Sequence, residues 1–151
     1  MKKSCAKPLA TDKFHLIIFS SAGEIGRASR ALLRYLSPLR LDRDMKLAIR
    51  LSFEEALANA IFHGNGNSPD KKVEIEAECS QGKSAAGGKK SLKLSVKDEG
   101  AGFDYRGFFK EIKRARLNRP RRRGLLLITN LMDRVTFNPK GNCIRITKYL
   151  P

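Results

Sequence analysis

The chain has 151 residues, enough for a single domain of ordinary size with its own core. Lys and Arg number 31 against 15 Asp and Glu, a formal net charge of +16, and hydrophobic residues make up 41% of the chain, which excludes wholesale disorder. No apolar run approaches the ~20 residues of a membrane span, and the three cysteines (Cys5, Cys79, Cys143) form neither a disulfide framework nor a zinc pattern.

Residues 1–12 read as a short N-terminal extension, basic but without the apolar stretch of a signal peptide, so a cytoplasmic protein is expected. The domain then runs over 13–151. Lys13 to Ser20 is β-branched and aromatic and predicts a buried strand. Ser21 and Glu24 have capping-box spacing, opening a helix with Ile25, Ala28, Leu32 and Leu36 on one stripe and a stop before Pro38. From Asp42, a plausible N-cap, apolar or small residues recur from Met45 to Ile61 at helical spacing, and Gly64 follows as a stop. Val73, Ile75, Ala77 and Cys79 alternate with Glu74, Glu76 and Glu78, a strand with one wet face. Its partner alternates Leu92, Leu94 and Val96 with Lys93, Ser95 and Lys97, setting cations against the glutamates across a flexible loop at 80–90. A weaker helix is expected over 106–116 and a short apolar one over 124–132. A hairpin closes the chain: Arg134–Phe137, a turn at 138–142, then Cys143–Tyr149. This order predicts an α+β fold, a two-layer sandwich with a mixed, mostly antiparallel sheet and helices on one face.

Three clusters carry potential chemistry. At about 100° per residue from Met45, the core stripe of the second helix centres near 30°. Glu55 falls at about 280° and Asn59 at about 320°, side by side on its flank, His63 continues the same ridge, and Glu54 faces water at about 180°. Taken alone, Glu55 and Asn59 read as a hydrogen-bonded helix-flank pair and His63 as a helix C-cap. Next, Asp98-Glu99-Gly100-Ala101-Gly102-Phe103 follows a strand directly. It places a carboxylate beside a backbone that can approach a flat ligand, although an ordinary glycine turn looks the same. Last, Arg121-Arg122-Arg123-Gly124-Leu125 leads a basic loop into an apolar helix, with free N–H groups suited to polyphosphate. The wider run 113–123 holds seven Lys and Arg and no acid. It reads either as a solvated basic loop or as a polyanion site, and no zinc-finger spacing or aromatic platform accompanies it.

Together, Phe53 to Gly64, Asp98 to Phe103 and Gly124-Leu125 resemble the N, G1 and G2 boxes of the GHKL ATPase superfamily (the Bergerat ATP-binding fold). The details, including Asn130 to Val135 and the closing Ile144 to Leu150, look closest to the small anti-sigma-factor serine kinases of bacteria. The resemblance runs from about Phe14 to Leu150. It implies ATP and Mg²⁺ as cofactors, Glu55 as general base, Asn59 as the magnesium ligand and Asp98 as acceptor for the adenine amino group. Gly100, Gly102 and Phe103 would lie against the base. Gly124 and Leu125 would offer N–H groups to the phosphates, with Arg123 and His63 nearby. The partners it implies are a sigma factor and an anti-sigma-factor antagonist phosphorylated on serine, and relatives commonly form homodimers. Two positions depart from the family pattern. The second glycine box, usually G-x-G, reads Arg122-Arg123-Gly124, which either stiffens the cover of the site or supplies phosphate-binding arginines. A Gly-Thr near the last strand reads Gly141-Asn142. A nucleotide-sensing module with weak catalysis is the alternative. A nucleic-acid function is less favoured, and a sensor histidine kinase less still, because neither His15 nor His63 sits on a dimerisation helix.

Overall fold

The computed structural model describes residues 13–82, 88–112 and 120–151. Five strands form one sheet in the order β1-β2-β3-β5-β4: β1 Phe14–Phe19, β2 Lys72–Ser80, β3 Ser91–Asp98, β4 Arg134–Phe137 and β5 Cys143–Tyr149. The mixed, mostly antiparallel sheet expected is antiparallel in all four pairings. The glutamate and lysine alternation sets the β2–β3 register, with Glu74 opposite Lys97 and Glu78 opposite Lys93. The helices are α1 Ala22–Leu36, α2 Arg43–Ala58, α3 Tyr105–Ile112 and α4 Pro120–Leu131. One core joins Leu32, Ile49, Phe53 and Leu57 of the helices to Val73, Ile75, Leu94 and Ile146 of the sheet. Burial along β2 and β3 alternates, so one sheet face meets the helices and the other meets water.

Several local readings change. β1 is an edge strand rather than a buried one: only Ile18 is buried, while Ile17 and Phe19 are 50% and 57% exposed. Ser21 is the N-cap of α1, but its side chain makes no capping bond, and Glu24 turns instead to Arg27 at 3.3 Å. α1 ends at Leu36 and a 3₁₀ turn, Ser37–Leu39, carries the chain through Pro38. Glu54 does not face open water. It accepts from Ser29 Oγ at 2.7 Å and Arg50 Nε at 3.0 Å, tying α1 to α2. The helix at 106–116 is described as far as Ile112, and both the rest of that helix and most of the basic run, 113–119, lie outside the described residues. Residues 83–87 of the loop between β2 and β3 lie outside them too.

Asp42 does cap α2, accepting from Met45 N–H at 2.7 Å. Asp42→Ala should cost about 1 kcal/mol, a fall of roughly 2–4 °C in Tm by thermal denaturation.

Burial also sets an alkaline limit. It pushes Tyr35 up to about 12, with the Cys79 thiol adding to the shift, and it raises both Cys79 and Cys143 above their ordinary value of 9.0. All three prefer their neutral forms when folded, so their contribution is complete below the unfolded values and is lost as pH rises through the folded ones. These three groups should therefore leave stability unchanged below pH ~9 and lower it above. Tyr35→Phe should remove the part of the decline above pH ~10 in denaturant titrations run across the alkaline range.

Candidate active site

α2 does not continue as a regular helix to Gly64. At Asn59 the chain widens into a π-helical turn, Asn59–Gly64, whose register is seen in Asn65 N–H donating to Ala60 C=O at 2.8 Å. Such insertions are frequent at functional sites. The wider turn leaves Glu55 and Asn59 neighbouring across one turn but breaks the ridge beyond them, and His63 emerges exposed.

Gly124 of α4 packs against this pair. A Cβ there would collide with Glu55 Oε2 and stand 3.7 Å from Asn59 Nδ2. Glu55 is half-buried, and Asn59 is 9% exposed, with its Nδ2 lacking a hydrogen-bond partner among the described residues. Leaving a buried amide unsatisfied costs roughly 1–3 kcal/mol, so a polar group belongs beside it. The two ends of an amide exchange by a half-turn of the side chain. The carbonyl oxygen can therefore take that position, next to a carboxylate, and oxygen donors of this kind fit Mg²⁺ when it is shared with phosphates.

Asp98 ends β3 on the other side. It is 6% exposed, and a buried carboxylate has to be held. Gly100 N–H donates to Oδ1 at 2.8 Å. Two glycines make the approach possible: a Cβ at Gly64 would strike the Asp98 carboxylate, and one at Gly100 would strike the Gly64 carbonyl oxygen. Gly102 has φ +85 and its backbone lies against Lys140 C=O, docking the loop after β3 onto the β4–β5 turn.

Two asparagines outside the three candidate clusters secure this geometry. Asn65 is 2% exposed. It donates from Nδ2 to Ser20 Oγ at 2.7 Å and Lys72 C=O at 2.9 Å, and accepts Glu99 N–H at 2.8 Å. Asn138 Oδ1 accepts from the N–H groups of Gly141, Asn142 and Cys143, and its Nδ2 donates to Asn142 Oδ1 at 2.7 Å. Asn142 in turn donates from Nδ2 to the Asp98 backbone oxygen at 2.8 Å, so it supports the strand end rather than the carboxylate. Sequence carries one signal for such residues, an Asx side chain at each glycine turn, where it bonds nearby backbone.

Asn59, Asp98, Phe103, Leu125 and Asn142 thus line one cavity, of about 20 Å³, room for about one water molecule. A purine does not fit a cavity of that size, which Leu125 of α4 closes on one side and Phe103 on another. Arg123 is exposed and lines no part of the cavity. α4 starts at Pro120, earlier than the Gly124 expected, because proline suits the first helical position. The N–H groups of Gly124 and Leu125 consequently fall in the helix's own i to i−4 ladder, and the uncommitted ones belong to the first turn, at 121 and 122. The side chains of Arg121 and Arg122 lie outside the described residues.

A one-sided antiparallel sandwich with a small cavity between its longest helix and a glycine-held aspartate is the architecture of an α+β ATPase domain of the GHKL type. Residues 20–148 match the family model described as Histidine kinase-like ATPase domain, and the chain belongs to that family. Domains of the family bind ATP, usually with Mg²⁺. The fold is similar to the crystal structure of the RsbU and RsbW domains of Rv1364c from Mycobacterium tuberculosis, with TM-score 0.55 and 15% identity. The similarity covers 93% of this chain but only 35% of that one. A comparison with curated proteins finds no match.

Proposed function

We propose that the chain is an ATP-dependent serine/threonine protein kinase that acts as an anti-sigma factor in the cytoplasm, phosphorylating a serine on an anti-sigma-factor antagonist and thereby regulating transcription. The observation that carries the phosphoryl chemistry is the pairing of Glu55 with the orphaned Asn59 amide, both facing Gly124. Asn59 would hold Mg²⁺, which when bound neutralises charge on the phosphates. Glu55 sits one helical turn away and would accept the proton of the attacking hydroxyl. Asp98, fixed by Gly100 N–H, would accept the adenine amino group, with Gly102 and Phe103 against the ring. Arg123 and the first turn of α4 would meet the phosphates once α4 swings away, and His63 lies at the mouth of the same π-helical turn. The anti-sigma assignment rests on the resemblance of the three boxes, and the likeness of fold to a structure that contains an RsbW domain is in keeping with it. A sigma factor and the antagonist are the proposed partners, with a homodimer as the proposed assembly.

One observation favours a second reading, a nucleotide-sensing module with weak catalysis. The extended α4 leaves Gly124 and Leu125 inside a helix and the cavity at about 20 Å³. The two readings part on turnover. Purified chain with Mg-ATP and the products of its neighbouring reading frames should yield phosphoserine on one of them by mass spectrometry. Saturable ATP binding with no transfer to any of them would select the sensor.

A further inference from the structure

The helical layer holds a second concavity, sharing no residue with the site above. It lies between the C-terminal half of α1 and the first half of α2, with a volume of about 460 Å³. Leu33 and Leu36 form one wall, and Arg43, Lys46, Leu47 and Arg50 form the other. The α2 residues stand at i, i+3, i+4 and i+7, so they make a single ridge along one helix face. Leu47 at its middle is 47% exposed, an apolar side chain flanked by cations. Among the described residues no acidic one lines the groove. Among them too, Arg50 pairs with Glu54 at 3.0 Å, and no ion pair engages Arg43 or Lys46. The nearest acids in sequence are Asp42, committed to capping α2, and Asp44, in the first turn of the same helix.

We infer that this groove docks an acidic amphipathic helix from a partner protein. An apolar floor between two helices is the shape that receives i, i+3/i+4, i+7 anchors from a third helix. The cationic ridge selects carboxylates on either side of those anchors and disfavours a basic helix. A nucleic acid is disfavoured by the same groove: phosphates leave Leu33 and Leu47 uncovered, Leu36 being buried in the core already, and no aromatic lines the groove for base stacking. The inference stands whether or not the chain transfers phosphate, because it concerns association alone.

The test uses the full chain and a fluorescein-labelled helical peptide of about 16 residues, with Leu at the anchor positions and Glu flanking them, beside a counterpart with Lys for every Glu. Fluorescence anisotropy should show saturable binding of the acidic peptide, at least ~10-fold tighter than the basic one and weakening as salt rises. Leu47→Asp and the pair Arg43→Glu with Lys46→Glu should each weaken it by ~10-fold or more. All three side chains are exposed, and circular dichroism should confirm unchanged folding. No binding, equal binding of both peptides, or binding insensitive to Leu47→Asp would overturn the inference. So would Leu47-dependent binding to phosphatidylglycerol vesicles or duplex DNA without binding to the acidic peptide.

Discussion

Glu55→Gln should lower phosphoryl transfer by about a hundred- to ten-thousand-fold while leaving Mg-ATP affinity within about twofold, because it removes a proton acceptor and keeps the side-chain shape. Shape matters here: Gly124 sits against Glu55 Oε2, and glutamine fills the same volume without disturbing the α2–α4 contact. Glu54→Gln is the matching control. That neighbour is engaged with Ser29 and Arg50, away from the Asn59 amide, so the substitution should leave transfer unchanged while modestly lowering Tm. Initial rates of phosphoserine formation, with ATP affinity measured separately, check both. Equal rates for wild type and Glu55→Gln would remove the carboxylate from the chemistry.

Gly100→Ala should be strongly destabilising and should weaken the site at the same time. The added methyl has no open space: it meets the backbone oxygen of Gly64 and the Asp98 Oδ1 that Gly100 N–H holds. Backbone atoms cannot rotate aside as a side-chain tip can. Either the loop after β3 shifts or Asp98 loses its anchor. The expected cost is about 3 kcal/mol, roughly 6–12 °C in Tm. ATP binding should weaken at the same time, because the displaced group is the proposed adenine acceptor. Gly66→Ala makes the comparison on a glycine whose Cβ position is open, although its φ of +62 is itself unfavourable for alanine. Its loss should be about 1 kcal/mol, with affinity unchanged.

Much of this architecture was legible because it is written in local periodicity. The Glu and Lys alternation set the β2–β3 register, and Asp42 with the run from Met45 to Ile61 located α2 and its cap. The turn at 138–142 located the last hairpin. The features that escaped depend on contacts between distant residues or on backbone variants without a composition signature. An edge strand and a central one look alike when both are apolar, so exposed Ile17 and Phe19 could not be told from core. Ser29 lies 25 residues from Glu54, and only tertiary packing joins them. The π-helical turn at Asn59 keeps the apolar spacing before it and alters only the residues beyond it, which is why Glu55 and Asn59 stay side by side, though without the expected hydrogen bond from Asn59 Nδ2, while His63 turns outward. Pro120 opened α4 inside a run that its charge alone labelled a loop. The three candidate boxes themselves were visible in the sequence, and the structure brings Asn59, Asp98, Phe103 and Leu125 to one cavity, with Glu55 beside Gly124. The supporting asparagines, Asn65 and Asn138, were not visible as site residues, because their role lies in backbone groups that no motif records.

Calorimetric titration of the chain with Mg-ATP and Mg-GTP, in wild type and Asp98→Asn, bears most directly on the nucleotide pocket. With Asp98 in its proposed role, one saturable site should prefer ATP by at least ~10-fold, since a carboxylate accepts from an adenine amino group but repels the guanine oxygen at the same place. Asp98→Asn should erase that preference and most of the affinity. Heat no greater than dilution, or equal affinity for both nucleotides in both proteins, would contradict it.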